Sequence, residues 1–192
     1  MTPSARPAAT VSDLDVRGVL RFWFEEHGPK DWFAKNSDFD AKIRARFGAL
    51  HERAARGELD GWAGTPEGTL ALIVVLDQFS RNLHRNDAKA FACDPKALGL
   101  ARMALDRGFL SGFGEPERAF FLLPFEHSEN PRDQEISVMH FGRFSDPLYR
   151  DAAEKHKAII DRFGRYPHRN AVLGRPSTPE EIAFLTGPGS SF

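Results

Sequence analysis

The fold is decided by residues 65–83, which read TPEGTLALIVVLDQFSRNL. Thr65 can accept a hydrogen bond from an orphan backbone N–H, and Pro66 suits the first turn of a helix because it has no N–H to leave unsatisfied there. From Leu70 to Leu83 the apolar residues recur at intervals of three and four, and further apolar residues between them widen the stripe. This stretch therefore predicts a central, mostly buried helix.

A capping residue followed by proline marks further helix starts along the chain. The pairs are Asp94-Pro95, Asp146-Pro147 and Thr178-Pro179. Glu181 also completes a capping box with Thr178, three positions before it. In each pair, the side chain of the first residue is expected to accept a backbone N–H of the new helix.

Helical periodicity accounts for most of the chain. No stretch alternates apolar and polar residues with β-branched enrichment, so we expect little or no sheet. Gly108 and Gly164 are expected to end helices in the left-handed conformation, and Pro124 to kink or stop one. About seven to nine helices with short connections predict an all-α fold of antiparallel helical hairpins, arranged as a superhelix or a bundle.

The length of 192 residues fits one domain with a sizeable core. We predict a helical domain over residues 12–187 and flexible tails over residues 1–11 and 188–192. The first ten residues are rich in Pro, Ala, Ser and Thr and lack the apolar core of a signal peptide.

Charge and cysteine content exclude several partner classes. Lys plus Arg number 26 and Asp plus Glu number 27, a balance that argues against nucleic acid or an anionic membrane as partner. The longest apolar run, Leu70 to Leu76, is far shorter than the ~20 residues that cross a bilayer. Cys93 is the single cysteine, which indicates a reducing, cytoplasmic location.

Three polar segments interrupt the helical pattern. The first polar segment, residues 77–85, follows directly on the most apolar stretch. A buried helix would deliver Gln78, Arg81 and Asn82 from it into a cavity, where they would bind an anionic or amide ligand. Asp77 precedes Arg81 by four residues, so a simple ion pair on one helical face explains the pattern equally well.

The second polar segment, residues 123–135, holds four carboxylates, one histidine and a hydroxyl between two apolar helices. Glu126 and His127 are candidate catalytic residues because a carboxylate can tune a histidine that moves a proton, and Glu129 is a candidate ligand-binding residue. A polar connection that caps the next helix is the alternative. The spacing lacks Glu-x-x-His and His-Glu-x-x-His, so no metal ligand is assigned.

The third polar segment, residues 162–170, is locally basic. His168 is a candidate catalytic residue, and Arg165, Arg169 and Asn170 are candidate ligands for a phosphate or carboxylate. The alternative is a rigid connection whose polar side chains satisfy carbonyls at helix ends. The acidic second segment and the basic third segment could neutralise each other across one cleft.

Sequence patterns of common enzyme chemistries are missing. The chain has no Gly-rich dinucleotide fingerprint, no phosphate-binding P-loop and no Gly-x-Ser-x-Gly elbow. Cys93 has no base beside it in sequence, so packing explains it better than catalysis. The sequence therefore names no cofactor, and whether the protein is an enzyme stays open.

Several stretches together carry a family resemblance. They are FWF (22–24), LDQFSRN (76–82), LPFEHSE (123–129), FGRYPHRN (163–170) and LGRPSTPEE (173–181). The chain resembles the bacterial family catalogued as domain of unknown function 924 over nearly its whole length after about Asp13. Ser80 and Tyr166 depart from the family's usual Pro and Phe. The resemblance implies a tetratricopeptide-like helical fold and supplies no activity, cofactor or catalytic residue.

Three functions follow from these residues. In the first, a small-molecule enzyme or binding protein holds an anion with Arg81 and Arg169 while His127 or His168 moves a proton. In the second, a scaffold binds a peptide in the concave face of stacked helices. In the third, a metal-dependent enzyme combines the acids of the second polar segment with His156 and His168.

Overall fold

In the computed structural model the described residues are 11–190, with side chains from residue 15 onward. They contain helices and no strand, so the predicted all-α class is confirmed. The predicted N-terminal tail lies outside the described residues except for Val11, which begins the first helix. The α-helices are α1 (Val11–Arg21), α2 (Pro29–Trp32), α3 (Ser37–Ala55), α4 (Pro66–Ile73), α5 (Ser80–Leu83), α6 (Asp94–Asp106), α7 (Glu115–Glu126), α8 (Pro131–Phe141), α9 (Pro147–Phe163) and α10 (Pro179–Leu185).

The central helix is buried as predicted. Every residue from Gly68 to Ser80 is buried, and α4 packs against α1, α6 and α7. The helix does not keep one pitch, because the residues between α4 and α5 form a π-helical turn, Val74–Phe79. Such turns are rare and are frequent at functional sites. This turn carries Asp77 and Gln78 of the first polar segment.

Most predicted helix starts are confirmed. Thr65 Oγ1 accepts the Gly68 N–H at 3.1 Å, Asp146 Oδ1 accepts from Leu148 at 2.9 Å, and Thr178 forms the predicted capping box with Glu181. Prediction of a cap by Asp94 is wrong. The helix α6 already begins at Asp94, the preceding Cys93 occupies the cap position without a side-chain bond, and an arginine binds the Asp94 carboxylate instead.

Other helix ends follow backbone chemistry. Gly108 and Gly164 have φ of +67° and +68°, as expected for left-handed ends of α6 and α9. Pro124 lies inside α7, which ends two residues later at Glu126. The helix α8 begins at an unpredicted pair, Asn130-Pro131, where Asn130 Oδ1 accepts the Arg132 N–H.

Consecutive helices α6, α7, α8 and α9 pack against one another, which places the end of α7 beside α9. The main core surrounds the central helix, and a smaller core of Ile159, Ile160 and Tyr166 attaches the chain after α9. At the C-terminal end Ser190 Oγ donates to the Leu185 carbonyl, while residues 191–192 lie outside the described residues. Within the described part of the chain, no helix combines the length and apolar character needed to cross a bilayer.

Candidate functional site: a buried cluster of acids, histidines and arginines

The first and second polar segments meet at a hydrogen bond between Asp77 and His127. His127 follows α7 directly, and its Nδ1 lies 2.8 Å from Asp77 Oδ1. Burial opposes the ionised form of Asp77, but Arg81, His127 and Gln78 together outweigh it and hold the pKa of that carboxyl below its ordinary value. Burial and the nearby Arg81 lower the pKa of His127. The pair is therefore an ionised carboxylate that orients a neutral imidazole.

Arg81 joins this pair to α6. Its Nη1 lies 3.1 Å from Asp77 Oδ1 and 3.0 Å from Asp94 Oδ1, and its Nη2 donates to Asp94 Oδ2 at 3.1 Å. The Arg81–Asp94 contact is a two-pronged, charge-assisted interaction. The Asp77–Arg81 ion pair expected from the sequence spacing is present, and Asp94 is a partner that the sequence did not indicate.

A second acid–histidine pair lies next to the first. Glu126 is the last residue of α7, and its Oε1 is 3.2 Å from Nδ1 of His156 in α9. The same Nδ1 donates to the Ala152 carbonyl at 2.8 Å, so the neutral ring of His156 carries its proton on Nδ1. Burial, reinforced by the negative Asp77, raises the pKa of Glu126 to about 8, and burial lowers the pKa of His156 to about 3. Near neutral pH both groups are uncharged.

Tyr166 fixes the turn that carries Glu126 and His127. Its hydroxyl donates to the Glu126 carbonyl at 2.5 Å and accepts from Gln134 Nε2 at 2.9 Å. Tyr166 is completely buried, and burial raises the pKa of its hydroxyl. The backbone of this turn is therefore satisfied from inside the protein, which holds both candidate catalytic residues in place.

The second and third polar segments meet at Glu129. Arg175 binds the Glu129 carboxylate with both Nη groups, at 2.7 and 3.0 Å, and the Tyr166 N–H donates to the same carboxylate at 2.8 Å. Burial opposes ionisation of Glu129, but these donors outweigh it and lower its pKa. The charge of Glu129 is therefore neutralised by Arg175, which follows the third polar segment, while that segment itself contributes the Tyr166 N–H.

Arg169 is the buried arginine of the third polar segment. It is 7% exposed, and its Cζ lies 4.6 Å from the ring centroids of both Phe91 and Tyr166. Its Nη1 approaches Asp94 Oδ2 to 3.6 Å, which is an ion pair beyond hydrogen-bond distance. Burial, and then Arg81, lower the pKa of Arg169.

His168 precedes Arg169 and is half-buried. Its ring centroid lies 5.6 Å from that of Tyr166. Burial, with the positive Arg169 beside it, lowers the pKa of His168 to about 4. His168 is therefore a neutral imidazole near physiological pH, and it lies in the same cluster as the second polar segment.

The remaining candidates divide into two groups. Gln78 lies in the cluster, because its Nε2 donates to Asp77 Oδ2 at 2.5 Å. Asn82 does not join it: its Nδ2 donates to Asp40 Oδ1 at 2.8 Å and ties α5 to α3. Arg165 and Asn170 belong to a neighbouring network described next.

The neighbouring network is centred on Glu181 of α10. Arg165 binds its carboxylate at 2.7 and 2.8 Å, and Asn170 Nδ2 lies 3.3 Å from Glu181 Oε2 and 3.1 Å from Ser177 Oγ. The Arg165 bonds, together with the Thr178 N–H, lower the pKa of Glu181 to about 2. This network fastens α10 to the third polar segment, so Arg165 and Asn170 hold the chain that carries Arg169.

The described part of the chain contains no group of side chains arranged as a metal site. No three His, Cys, Asp or Glu side chains among residues 15–190 converge in a group that could hold a metal ion. The acids of the second polar segment instead bind arginines, as Glu129 and Asp133 do, or neighbour a histidine, as Glu126 does.

The three polar segments thus converge, although Asp77 and His127 are 50 residues apart. Sequence reasoning named Asp77 only as an ion-pair partner of Arg81, and His156 only as a metal ligand. It gave no site role to four further residues that complete the cluster, which are Phe91, Asp94, Tyr166 and Arg175. Their contacts join parts of the chain that are distant in sequence, so no spacing indicated them.

Fold and site together define an all-helical protein with a buried cluster of acids, histidines and arginines. Residues 19–189 match the model of the family described as bacterial protein of unknown function (DUF924), and the chain belongs to that family. A similar solved structure is that of the protein of unknown function ATU0120 from Agrobacterium tumefaciens, with 42% identity and a TM-score of 0.84. The match covers 88% of this chain and 96% of that one. No curated protein matches the chain.

Proposed function

We propose that the protein binds a small anionic molecule at the junction of the three polar segments and transforms it, with His127 moving a proton. The observation that carries this proposal is the 2.8 Å contact between Asp77 Oδ1 and His127 Nδ1. A buried carboxylate that accepts from Nδ1 fixes the tautomer and ring orientation, which leaves the Nε2 lone pair to accept a proton.

The surroundings of His127 support a role in proton transfer. Its side chain is 15% exposed, and its Nε2 makes no hydrogen bond with any residue from 15 to 190. Its pKa is lowered, so the ring is neutral and able to act as a base at physiological pH.

Glu126 supplies the complementary acid. Its pKa is raised to about 8, so it carries a proton at the pH at which His127 is free to accept one. Titratable groups whose environments push their pKa values apart are typical of acid–base catalysis. A substrate group placed between them could lose a proton to His127 and gain one from Glu126.

The test begins with a thermal-shift screen of anionic metabolites, followed by mass spectrometry of each stabilising compound after incubation with the protein. We expect His127→Gln to bind the compound and to lose at least ~100-fold in turnover, in line with removal of a general base. His140→Gln, on α8, is the matched control and should turn over like the wild type. Equal turnover by His127→Gln would eliminate proton transfer by this residue.

The other functions stay predictions. A tetratricopeptide-like arrangement of the hairpins and a peptide bound in its concave face are tested by a pull-down, in which a stoichiometric partner would favour the scaffold. A metal-dependent reaction is tested by plasma mass spectrometry of tag-free protein. The cytoplasmic location and the lack of a nucleic-acid partner likewise rest on the sequence alone.

A further inference from the structure

The arginines around the cluster differ in how fully the protein uses them. Arg81, Arg165 and Arg175 each bind a carboxylate with two nitrogens. The side chain of Arg169 donates no hydrogen bond to any residue between 15 and 190. A guanidinium has five N–H donors, so Arg169 holds a large unused donor capacity in a buried place.

The position of Arg169 is nevertheless well fixed. Its guanidinium lies over the rings of Phe91 and Tyr166, at 4.6 Å from each centroid, and such cation–π contacts leave the edge of the group available for hydrogen bonds. Nε is buried, whereas the two Nη groups are not fully enclosed. The two ring contacts therefore hold the guanidinium in place, while its Nη groups keep their hydrogen-bond donors available.

Asp94 does not occupy the hydrogen-bond donors of the Arg169 Nη groups. Both Asp94 oxygens already accept from Arg81, at 3.0 and 3.1 Å, and Arg169 approaches only to 3.6 Å. Because Arg81 satisfies Asp94, an incoming anion could bind Arg169 without breaking a hydrogen bond of the protein. Such preorganisation reduces the free-energy cost of binding.

We propose that Arg169 is the receptor for the anionic group of the ligand, and that it binds two oxygens of a carboxylate or phosphoryl group through its Nη edge. This inference rests on the proposed function and narrows it, because Arg81 becomes a positioning residue for Asp77 and Asp94. The ligand class is a small molecule with a terminal oxyanion, held beside His168 and within the same cluster as His127.

Isothermal titration calorimetry with inorganic phosphate and with malonate, at matched ionic strength in sodium chloride, tests the proposal. We expect saturable binding to the wild-type protein. Arg169→Lys keeps the charge and loses the fork, so it should weaken binding at least ~10-fold. Arg162→Lys is the control, since Arg162 is exposed and pairs with Glu180. Phosphate binding without malonate binding indicates a phosphoryl ligand, and the reverse a carboxylate.

Two results would overturn the proposal: unchanged anion binding by Arg169→Lys, or no saturable binding of either anion to the wild type. If Arg169→Lys does not fold, NMR of the wild-type protein replaces it. The Arg169 Nε–Hε resonance, assigned through its own side-chain bonds, should shift on addition of the anion, and an unmoved resonance would reject Arg169 as receptor.

His127→Gln separates this inference from the proposed function. It should bind phosphate or malonate as the wild type does, because the anion contacts Arg169. If turnover depends on His127 but no anion binds at Arg169, Arg169 is rejected as the receptor and proton transfer by His127 is supported. If an anion binds at Arg169 but turnover does not depend on His127, the receptor is supported and proton transfer by His127 is rejected.

Discussion

Glu126 Oε1 lies 3.2 Å from His156 Nδ1, and the two groups face each other uncharged. The geometry is that of an ion pair, but burial raises the pKa of the acid to about 8 and lowers that of the base to about 3. Desolvation of two charges here costs more than their attraction returns. Glu126 is therefore protonated at neutral pH in the folded protein.

The protonated state of Glu126 predicts that the stability of the fold depends on pH. Folded Glu126 keeps its proton up to about pH 8, whereas the unfolded chain releases it above about 4.5, so the free energy of unfolding falls as pH rises between these values. Glu126→Gln removes this loss. We expect the variant to gain stability relative to the wild type from pH 5 to pH 8, by more than about 1.4 kcal/mol.

Urea unfolding at both pH values measures this difference. Glu135→Gln changes an exposed acid on α8 and is the matched control, which should follow the wild type at both pH values. A constant difference between Glu126→Gln and the wild type across the range would mean that Glu126 is ionised in the folded protein.

Asp77→Asn is expected to weaken the fold and to change His127. Loss of the charge leaves Arg81, whose side chain is 20% exposed, with one carboxylate partner, Asp94, and breaking a largely buried pair costs about 3 kcal/mol. Asp77 also raises the pKa of His127 against burial, so the variant should lower that pKa further. Urea unfolding and NMR titration of the His127 ring measure the two effects.

An exposed pair provides the control for this prediction. Asp60 binds Lys96 at 2.5 Å but is 60% exposed, so Asp60→Asn should change stability by less than about 1 kcal/mol. An Asp77→Asn variant as stable as Asp60→Asn, with an unchanged His127 titration, would contradict the assigned role of Asp77.

A methyl group at Gly68 is expected to destabilise the central helix. A Cβ there would stand 2.1 Å from the carbonyl oxygen of Trp62, a backbone atom that cannot rotate away. We expect Gly68→Ala to lose about 1–3 kcal/mol from this overlap although alanine favours helices. In Gly99→Ala, on α6, the new Cβ meets no described atom within 4 Å, so stability should rise by roughly 0.5–1 kcal/mol.

Thermal unfolding of the two glycine variants provides the comparison. Equal shifts in the same direction would show that the approach of Trp62 to Gly68 is not close in solution.

Thr178→Ala is expected to loosen the attachment of α10. Thr178 Oγ1 accepts the Glu181 N–H at 3.2 Å, and the Glu181 carboxylate accepts the Thr178 N–H at 2.7 Å. Loss of this cap should cost about 1 kcal/mol. Thr186→Ala removes an exposed hydroxyl at the other end of α10 and should cost less, as measured by chemical unfolding. The opposite ranking of the two variants would contradict the capping role.

Local chemistry made much of the fold predictable. Thr65, Asp146 and Thr178 mark helix starts because capping depends on residues only two or three positions away. The same signature at Asn130-Pro131 begins α8, although the sequence there indicated only a polar connection. The Asp94 carboxylate failed as a cap because a tertiary partner, Arg81, binds it more strongly than one backbone N–H does.

The candidate site was less predictable, because its geometry depends on long-range contacts. The polar residue types of the three segments indicated chemistry, and nine of the ten candidates lie in the cluster or in the network that fastens it. The exception among these, Asn82, bonds to Asp40. No periodicity revealed the π-helical turn, which determines the direction of Asp77.

The order in which the ribosome releases the chain bears on the cluster. Asp77, His127 and Glu126 emerge well before Tyr166, Arg169 and Arg175, which lie after α9. Because synthesis runs from the N-terminal end, Asp77, Glu126 and His127 are made before the residues that complete the cluster. A nascent chain that stops at the end of α9 would lack the anion receptor, and the proposed chemistry at His127 would begin only after Arg169 has emerged.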